Sequence, residues 1–241
     1  MKKLFILLSV VLLVACTNTP KESAIEIYRK VAENAKGIES STAHINLTTE
    51  LEGEGDSHSI TIKGYTKETH NPITYVGEFD LLGETMKTFY IDGYSYIETA
   101  GLKYKMKTDF EEFKQISEGS MLSTNFDAEF FKNAKVTKSG ENYVIKTQLN
   151  KDLMLKYLRE TRPEFASEDV NIDFKKGNIE MIVNKDYYAT NYKMDFEMTI
   201  EQMGLKIPMK MKMDLTVSDI NTTEFTLPTN LDEFEEINPA G

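Results

Sequence analysis

Few residues in this 241-residue chain are of a type and spacing that suits catalysis or metal binding. Its three histidines, His44, His58 and His70, lack the short spacings that bring two imidazoles to one metal ion. The chain also lacks a Gly-x-Ser-x-Gly nucleophile elbow, a phosphate-binding P-loop and a His-Glu-x-x-His zinc motif. The sequence therefore predicts a protein that is not an enzyme and that uses no metal and no cofactor.

The single cysteine, Cys16, is the one residue for which the sequence predicts covalent chemistry. Lys2 and Lys3 precede a mostly apolar run that ends just before it, which is typical of a secretory signal and is too short to span a bilayer as a helix. Residues 13–15, Leu-Val-Ala, resemble the lipobox of bacterial lipoproteins. In that family the cysteine thiol receives a diacylglycerol, and cleavage then makes the cysteine the N-terminus. The alternative is an ordinary signal peptide followed by a chance cysteine.

Lipidation of Cys16 would place the protein on the outer face of the bacterial cytoplasmic membrane, held there by its acyl chains. Residues 17–22 form a linker that reaches about 20 Å when fully extended. Because the chain has no second cysteine, it forms no intrachain disulfide, and the exported domain must be stable from its core alone.

The composition excludes some partners. The formal net charge is −11, and removal of Lys2 and Lys3 with the signal peptide makes it −13. Such an acidic surface argues against nucleic acid as a partner and against charge-driven docking on anionic lipid headgroups.

The predicted elements are one helix, a series of antiparallel strands, a second helix and a pair of long strands. Ser23 and Glu26 form a capping-box pattern that starts a helix over residues 24–36. Period-two alternation and the turns around Gly83 and Asp92 predict strands at 84–91, 94–99 and 102–107, joined by connections too short for parallel crossovers. Asn150 is expected to cap a second helix over residues 150–161, which Pro163 ends.

The last two predicted strands have an unusually regular apolar face. Residues 205–217 read LKIPMKMKMDLTV, with apolar residues at every odd position and three consecutive methionines among them. Their predicted partner runs from Tyr188 to Ile200 with the same alternation. Strands of this length span roughly 43 Å, so they must twist and curl. We expect an α+β fold in which two or three short helices cover the concave face of a long, strongly curved antiparallel half-barrel of ten or eleven strands.

The methionine-rich face predicts a groove for an apolar ligand, because the unbranched thioether adapts to partners of varying shape. The expected ligand is a lipid or another hydrophobic small molecule. The residues expected to line the groove lie on the last two strands and on the two helices: Tyr192, Met194, Phe196, Met198, Ile207, Met209, Met211, Met213, Ile27, Val31, Met154 and Leu158. Two alternatives stay open: a fully packed core with no ligand, and a surface that binds another protein.

The chain also resembles a known group of proteins. The lipobox, the segment SAIEIYRKVAENAKGIESS and the segment MKMKMDLTVSDIN followed by Leu-Pro are similar to those of Gram-positive lipoproteins of unknown function. That group is similar in fold to the LolA and LppX carriers of lipoproteins and lipids, in which helices cover a half-barrel and enclose an apolar cavity. The resemblance covers most of residues 16–230 and implies the fold more firmly than the activity. A LolA-type shuttle is soluble, whereas Cys16 would tether this chain, so we do not expect free shuttling.

The expected organisation has four parts: a signal peptide at residues 1–15, the lipidated N-terminus and linker at 16–22, one LolA/LppX-like domain at 23–230, and an acidic tail at 231–241.

Overall fold

A computed structural model of the chain describes residues 20–53, 56–113, 126–162, 165–167, 169–224 and 226–237. Cys16 and the predicted signal peptide lie outside these residues. The described part forms a single sheet of twelve strands. The strands are β1 Ser40–Glu52, β2 Ser57–His70, β3 Ile73–Leu81, β4 Glu84–Ile91, β5 Tyr94–Thr99, β6 Leu102–Lys107, β7 Lys135–Ser139, β8 Asn142–Gln148, β9 Val170–Val183, β10 Ala189–Gln202, β11 Leu205–Ser218 and β12 Glu235–Glu236.

The sheet is two antiparallel meanders joined side by side. Its strand order is β12-β6-β5-β4-β3-β2-β1-β11-β10-β9-β8-β7, and only the short β12 pairs with its neighbour in parallel. The junction is the antiparallel pair β1–β11, whose register runs from Thr42 opposite Ser218 to Leu51 opposite Met209. The sheet is long, curved and unclosed, so the predicted architecture of a curved antiparallel sheet with short helices is confirmed.

The two longer helices begin at the N-cap residues that the sequence predicts. Helix α1, Ala24–Ala35, begins at Ser23, whose side chain and that of Glu26 form the predicted capping box. Helix α2, Lys151–Thr161, begins at Asn150, whose side chain accepts hydrogen bonds from two backbone N–H groups. Two 3-10 helices, Ala128–Phe131 and Leu231–Glu233, and a helical segment at residues 110–113 complete the described helices.

None of the helices in the described ranges is long and apolar enough to cross a membrane.

The main core lies between the sheet and the helices. We call the face on which α1 and α2 pack the inner face, and the opposite face the outer face. Ile27 of α1, Met154 of α2 and Phe131 of the first 3-10 helix are each fully buried in one apolar cluster. The same cluster contains inner-face residues of β8–β11, such as Met181 and Phe196, and also Ile45 and Leu47 of β1 and Phe79 of β3. The core under the helices therefore reaches across the β1–β11 junction.

The described part of the predicted acidic tail is packed rather than free. Residues 226–237, which we call the C-terminal strap, lie against the outer face of β3–β6. Phe234 is 4% exposed and packs edge-on against Phe89 and Tyr96, with ring centroids 6.4 and 5.3 Å away. Glu233 is paired with Lys103, and Glu235–Glu236 adds to β6 as β12. Because most residues of this segment are polar or acidic, the sequence pattern did not identify Phe234 as the buried residue that holds it.

We expect Phe234→Ala to lower the free energy of unfolding by about 3 kcal/mol, because the substitution empties the centre of the outer-face cluster. Urea denaturation of the variant measures this loss. Ile237→Ala is the matched control, since Ile237 is 44% exposed in the same segment. Its effect should stay within about 0.5 kcal/mol. Equal and small effects of both substitutions would show that the strap does not stabilise the fold.

Candidate functional site

The structure gathers the residues predicted to line a groove, but it buries most of them against one another. Nine are at most 9% exposed and belong to the main apolar cluster. They are Ile27, Val31, Met154, Leu158, Met194, Phe196, Met198, Met209 and Met213. Tyr192 and Met211 pack at the margin of this cluster and are half-buried, whereas Ile207 is 40% exposed. These nine side chains therefore contact one another and leave little surface accessible, and the more accessible apolar residues lie beside them.

A less densely covered region lies next to this core, on the inner face of β11, β1 and β2. In antiparallel pairs, residues directly opposite each other point to the same face, so the register identifies the inner-face side chains. Ala43 of β1 is opposite both Val217 of β11 and Thr66 of β2. All three are half-buried, in contrast to the closed core under the helices. We call this region the inner trough. Its half-buried residues are Ala43, Thr49, Leu51, Ile60, Ile62, Thr66, Leu215 and Val217. Ile45 and Leu47, which lie between Ala43 and Thr49 on the same face of β1, are buried in the main cluster.

Aromatic side chains flank the inner trough on both sides. On the β10 side, Tyr28 of α1 stacks on Phe131 with a centroid distance of 4.2 Å, and its hydroxyl donates to the Phe126 carbonyl at 2.5 Å. On the β3 side, Phe113 packs against Tyr75 and Tyr90 with centroid distances of 5.0 and 5.2 Å. Since β11, β1 and β2 lie between these strands in the sheet, the trough is bounded by two aromatic layers.

The floor contains a glycine where a side chain could not fit. Gly64 of β2 is opposite Phe79 of β3, and a Cβ atom at Gly64 would lie 2.7 Å from the Phe79 ring. The same Cβ would lie 2.1 Å from the Glu78 carbonyl oxygen. The absence of a side chain therefore lets Phe79 lean across β2 at the boundary of the trough.

Tyr192 places a polar group at the edge of this apolar region. Its side chain packs at the margin of the core, and its hydroxyl has no hydrogen-bond partner among the described residues. Burial raises the pKa of the Tyr192 hydroxyl above its ordinary value, and the nearby Tyr28 raises it further. The hydroxyl is therefore neutral at physiological pH and remains able to donate or accept one hydrogen bond.

Charge is distributed unequally between the two faces. The inner-face positions of β1–β6 and β11 contain no lysine or arginine. The outer-face positions of the same strands carry many, among them Lys63, Lys67, Lys210 and Lys212. The carboxylate on the inner face of β2 is Glu68, which lies opposite Ser41 and 3.6 Å from His70. No group of three or more His, Cys, Asp or Glu that could hold a metal ion occurs within the described ranges.

One end of the sheet is apolar and exposed. The turns after β3, β5 and β10 lie at this end, which we call the turn end; its apolar residues Leu81, Leu82, Leu102, Met203, Leu205 and Ile207 are between 36% and 89% exposed. The inner trough runs to this end through Leu51 and Ile60, near the last residue of β1 and the first of β2.

The N-terminus is held at the opposite end of the sheet. Glu22 accepts hydrogen bonds from the hydroxyls of Tyr143 and Tyr187 at 3.0 and 2.9 Å and pairs with Lys30. Tyr187 belongs to the β9–β10 connection, and the far end of β10 is about 45 Å away along the strand. The Lys30 ammonium lowers the pKa of Glu22; burial opposes this shift, and the two tyrosine hydroxyls add to it.

A cavity lined by described residues lies on the outer face and does not coincide with the trough. It has a volume of about 900 Å³ and is lined largely by polar side chains of β7–β10, including Lys135, Lys146 and Asp195. Lys146 is already paired with Glu180 at 2.6 Å, and Asp195 accepts a hydrogen bond from Asn178. Its polar side chains therefore largely satisfy one another.

Comparison with known proteins identifies the family of this chain and several distantly similar structures. The model of DUF6612, a family of unknown function, matches residues 23–233, so the chain belongs to this family. No curated protein sequence is significantly similar to the chain.

Three solved structures are distantly similar to the chain. The lipoprotein LppX of Mycobacterium tuberculosis is 13% identical, with a TM-score of 0.45 over 84% of this chain and 97% of that protein. A DUF1329 family protein from Desulfovibrio piger is 10% identical, with a TM-score of 0.29 over 86% and 96% of the two chains. A LolA superfamily protein from Nitrosomonas europaea is 9% identical, with a TM-score of 0.25 over 87% and 97%. Because these scores are low, the function must be argued from the side chains of this protein.

We expect Met154→Ala to cost about 2–5 kcal/mol of unfolding free energy, because Met154 is fully buried between α2 and the sheet. Met203→Ala is the control, since Met203 is 89% exposed at the turn end. Chemical denaturation of both variants measures the two changes in unfolding free energy. A loss below 1 kcal/mol for Met154→Ala would mean that the region under α2 is not a packed core.

The Glu22 contacts should stabilise the fold in a pH-dependent way. A carboxylate with a lowered pKa contributes stability above its unfolded pKa of about 4.3, and loses it as the pH falls through the lowered folded pKa. Glu22→Gln should therefore reduce stability by up to about 1 kcal/mol at pH 7 and by less at pH 3. Thermal unfolding at both pH values measures the difference. A deficit that grows toward acid pH would contradict the assignment.

Proposed function

We propose that this member of the DUF6612 family is a lipid-anchored, extracytoplasmic binding protein that holds a lipid or another apolar molecule in its inner trough. The observation that carries the proposal is the half-buried apolar floor formed by β11, β1 and β2 beside a fully packed core. No chemical conversion of the ligand is part of the proposal.

Some apolar side chains of the inner face are less buried than others. Apolar surface that is removed from water stabilises a structure by about 25 cal/mol per Å². The floor residues Leu51, Ile62 and Leu215 are each half-buried, so an apolar ligand would bury surface that the protein's own side chains leave accessible. Binding sites for small molecules are typically lined mainly by apolar side chains, with few polar groups.

The character of the trough favours broad specificity. Its floor offers methyl and methylene groups with few hydrogen-bonding partners, so ligand shape and apolar area would decide affinity more than polar recognition. Met211 at the margin adds an adaptable thioether. Tyr192 supplies one hydroxyl that a polar atom of the ligand could engage.

The anchoring part of the proposal is supported by the sequence and by the geometry of the N-terminus. Diacylglycerol on Cys16, together with a further acyl chain, would hold the protein on the outer face of the bacterial cytoplasmic membrane. Since residues 17–22 span only about 20 Å, Glu22 and the adjacent end of β10 would stay near the bilayer. The apolar turn end would then point away from the membrane.

Lipid extraction from the purified protein tests this function. The chain from residue 17, which lacks only the signal peptide and Cys16, is purified without detergent, extracted with organic solvent and analysed by mass spectrometry. Wild-type protein should yield close to one apolar molecule per chain. Ala43→Phe should reduce this yield several-fold, because a phenyl ring there would occupy the space between the half-buried Val217 and Thr66, which flank Ala43 on the inner face.

The control is Asn46→Phe, which places the same ring on the exposed outer face of β1. The control should keep the wild-type lipid content, and both variants should unfold within a few degrees of the wild type. If no lipid is recovered from the wild type, or if the two variants lose it equally, the binding function is wrong and the packed-core alternative stands.

A further inference from the structure

An apolar surface follows the turn end along the inner face of the sheet. Successive side chains of this surface are neighbours within a strand or across a strand pair, as Ile62 and Leu81 are, except that Met86 and Leu102 flank Thr99 of β5. We call this surface the rim band, and its residues are Leu205, Ile207, Leu51, Ile60, Ile62, Leu81, Met86 and Leu102.

The rim band is open to solvent. Leu205, Ile207, Leu81 and Leu102 are 65%, 40%, 36% and 52% exposed, and the other four residues are half-buried. Leu51, Ile60 and Ile62 belong to the inner trough as well, whereas the exposed members lie outside it. A macromolecule can therefore reach the band from the surface, without an enclosed cavity. Continuous apolar surface of this kind is typical of interaction sites.

The turns beside the rim band carry apolar side chains where the backbone does not favour them. Leu82 and Met203 each precede a turn glycine and have φ angles of 56° and 52°, in the left-handed region that bulky side chains rarely adopt. They are 73% and 89% exposed, so packing within the chain does not offset this strain. At the other end of the sheet, the equivalent position of the β4–β5 turn is Asp92, with a φ of 51°. The apolar turn residues thus cost stability, which indicates a contact outside the chain.

The charged groups on this part of the inner face are carboxylates and histidines. The inner-face positions of β1–β6, β10 and β11 contain Glu68, Glu84, His58 and His70, and they contain no lysine or arginine. Glu84 lies directly opposite Leu81 and has no ion-pair partner among the described residues. The partner that complements the rim band is therefore apolar and basic.

The position of the rim band favours a helix over a flat surface. Its residues lie mainly on the inner face of a curved sheet, so a flat bilayer could touch Leu82 and Met203 without covering Ile62. A helix is about 10 Å across, and α1 and α2 already pack on this face. From β11 to β6 the band crosses six strand spacings, about 29 Å, which a helix of about 20 residues spans.

We infer that the rim band binds an amphipathic helix of a partner protein, one whose apolar face is bordered by lysine or arginine. The apolar face covers the exposed leucines of the band, and a basic side chain pairs with Glu84. This inference goes beyond the proposed function, since it needs an exposed surface and no bound lipid. Under the anchoring proposed above, the turn end points away from the bilayer, where a partner protein can reach it.

Model helices test the inference. The probe is a fluorescein-labelled peptide of leucine and lysine, about 20 residues long, whose leucines form one helical face. A second peptide has the same composition with the leucines dispersed around the helix, and a third has glutamate in place of every lysine. Fluorescence anisotropy measures their binding to the chain from residue 17 at pH 7 and physiological salt. We expect the first peptide to bind about tenfold more tightly than either of the others.

Variants assign the binding to the rim band. Leu81→Ser combined with Leu102→Ser should weaken it about tenfold, because two apolar contacts are lost. The matched control is Leu227→Ser, since Leu227 is 39% exposed but belongs to the C-terminal strap on the outer face. Glu84→Gln should weaken binding about threefold, whereas Glu50→Gln on the outer face of β1 should leave it unchanged. Thermal unfolding checks that each variant is folded.

The outcomes distinguish this inference from the proposed function. Equal binding of the three peptides, or binding that the Leu81 and Leu102 substitutions leave unchanged, overturns the inference. Sedimentation with phosphatidylcholine vesicles that Met203→Ser abolishes, without binding of the first peptide, also overturns it and assigns the turn end to a bilayer. The lipid content of solvent extracts tests the proposed function separately, so either one can fail while the other stands.

Discussion

The pairing of β1 with β11 is the constraint on which the rest of the structure depends. These strands are separated by most of the chain, yet they pair over ten residue positions, from Thr42–Ser218 to Leu51–Met209. The pairing joins the β2–β6 meander to the β7–β10 meander and aligns their apolar faces into one. Without it, the N-terminal strands would have no connection to the sheet half that carries the helices. It also creates the floor of the inner trough, since that floor consists of β11, β1 and β2.

The unequal covering of the inner face follows from simple dimensions. Twelve strands at about 4.8 Å spacing make a sheet some 50 Å wide, whereas a helix of twelve residues is about 18 Å long and about 10 Å across. The main core contains inner-face residues of β8–β11 together with Ile45 and Leu47 of β1, and the outer-face cluster around Phe234 belongs to the other side of the sheet. Toward the turn end, the inner face of β1 and β2 keeps half-buried apolar side chains such as Leu51, Ile60 and Ile62. The proposed ligand surface is this half-buried part of the sheet rather than the buried part of the methionine stripe.

Local sequence signals predicted the elements well and their distant partners poorly. The strands at 84–91, 94–99 and 102–107 and the start of α1 agree with the structure, because turn residues, alternation and the Ser23–Glu26 capping box are all local. The alternation of β10 and β11 also identified the inner face correctly. It could not tell which strand lies beside β11, so the predicted ligand surface was limited to β10–β11 and the helices, where the structure buries most of the side chains. Phe234 was missed for a related reason: its neighbours Glu233 and Glu235 are acidic, and its partners Phe89 and Tyr96 are remote in sequence.

One sheet thus has three distinct parts: a closed core under the helices, a half-buried trough beside it, and an end at which Glu22 is held by Tyr143, Tyr187 and Lys30. Photo-crosslinking with a long-chain lipid that carries a diazirine in its acyl chain tests the central claim most directly. After irradiation and digestion, peptide mass spectrometry should place the label on inner-face residues of β1, β2 and β11, such as Ala43, Ile62 and Leu215. Labelling confined to the exposed turn end or to the outer face, or no labelling above that of a heat-unfolded sample, would contradict it.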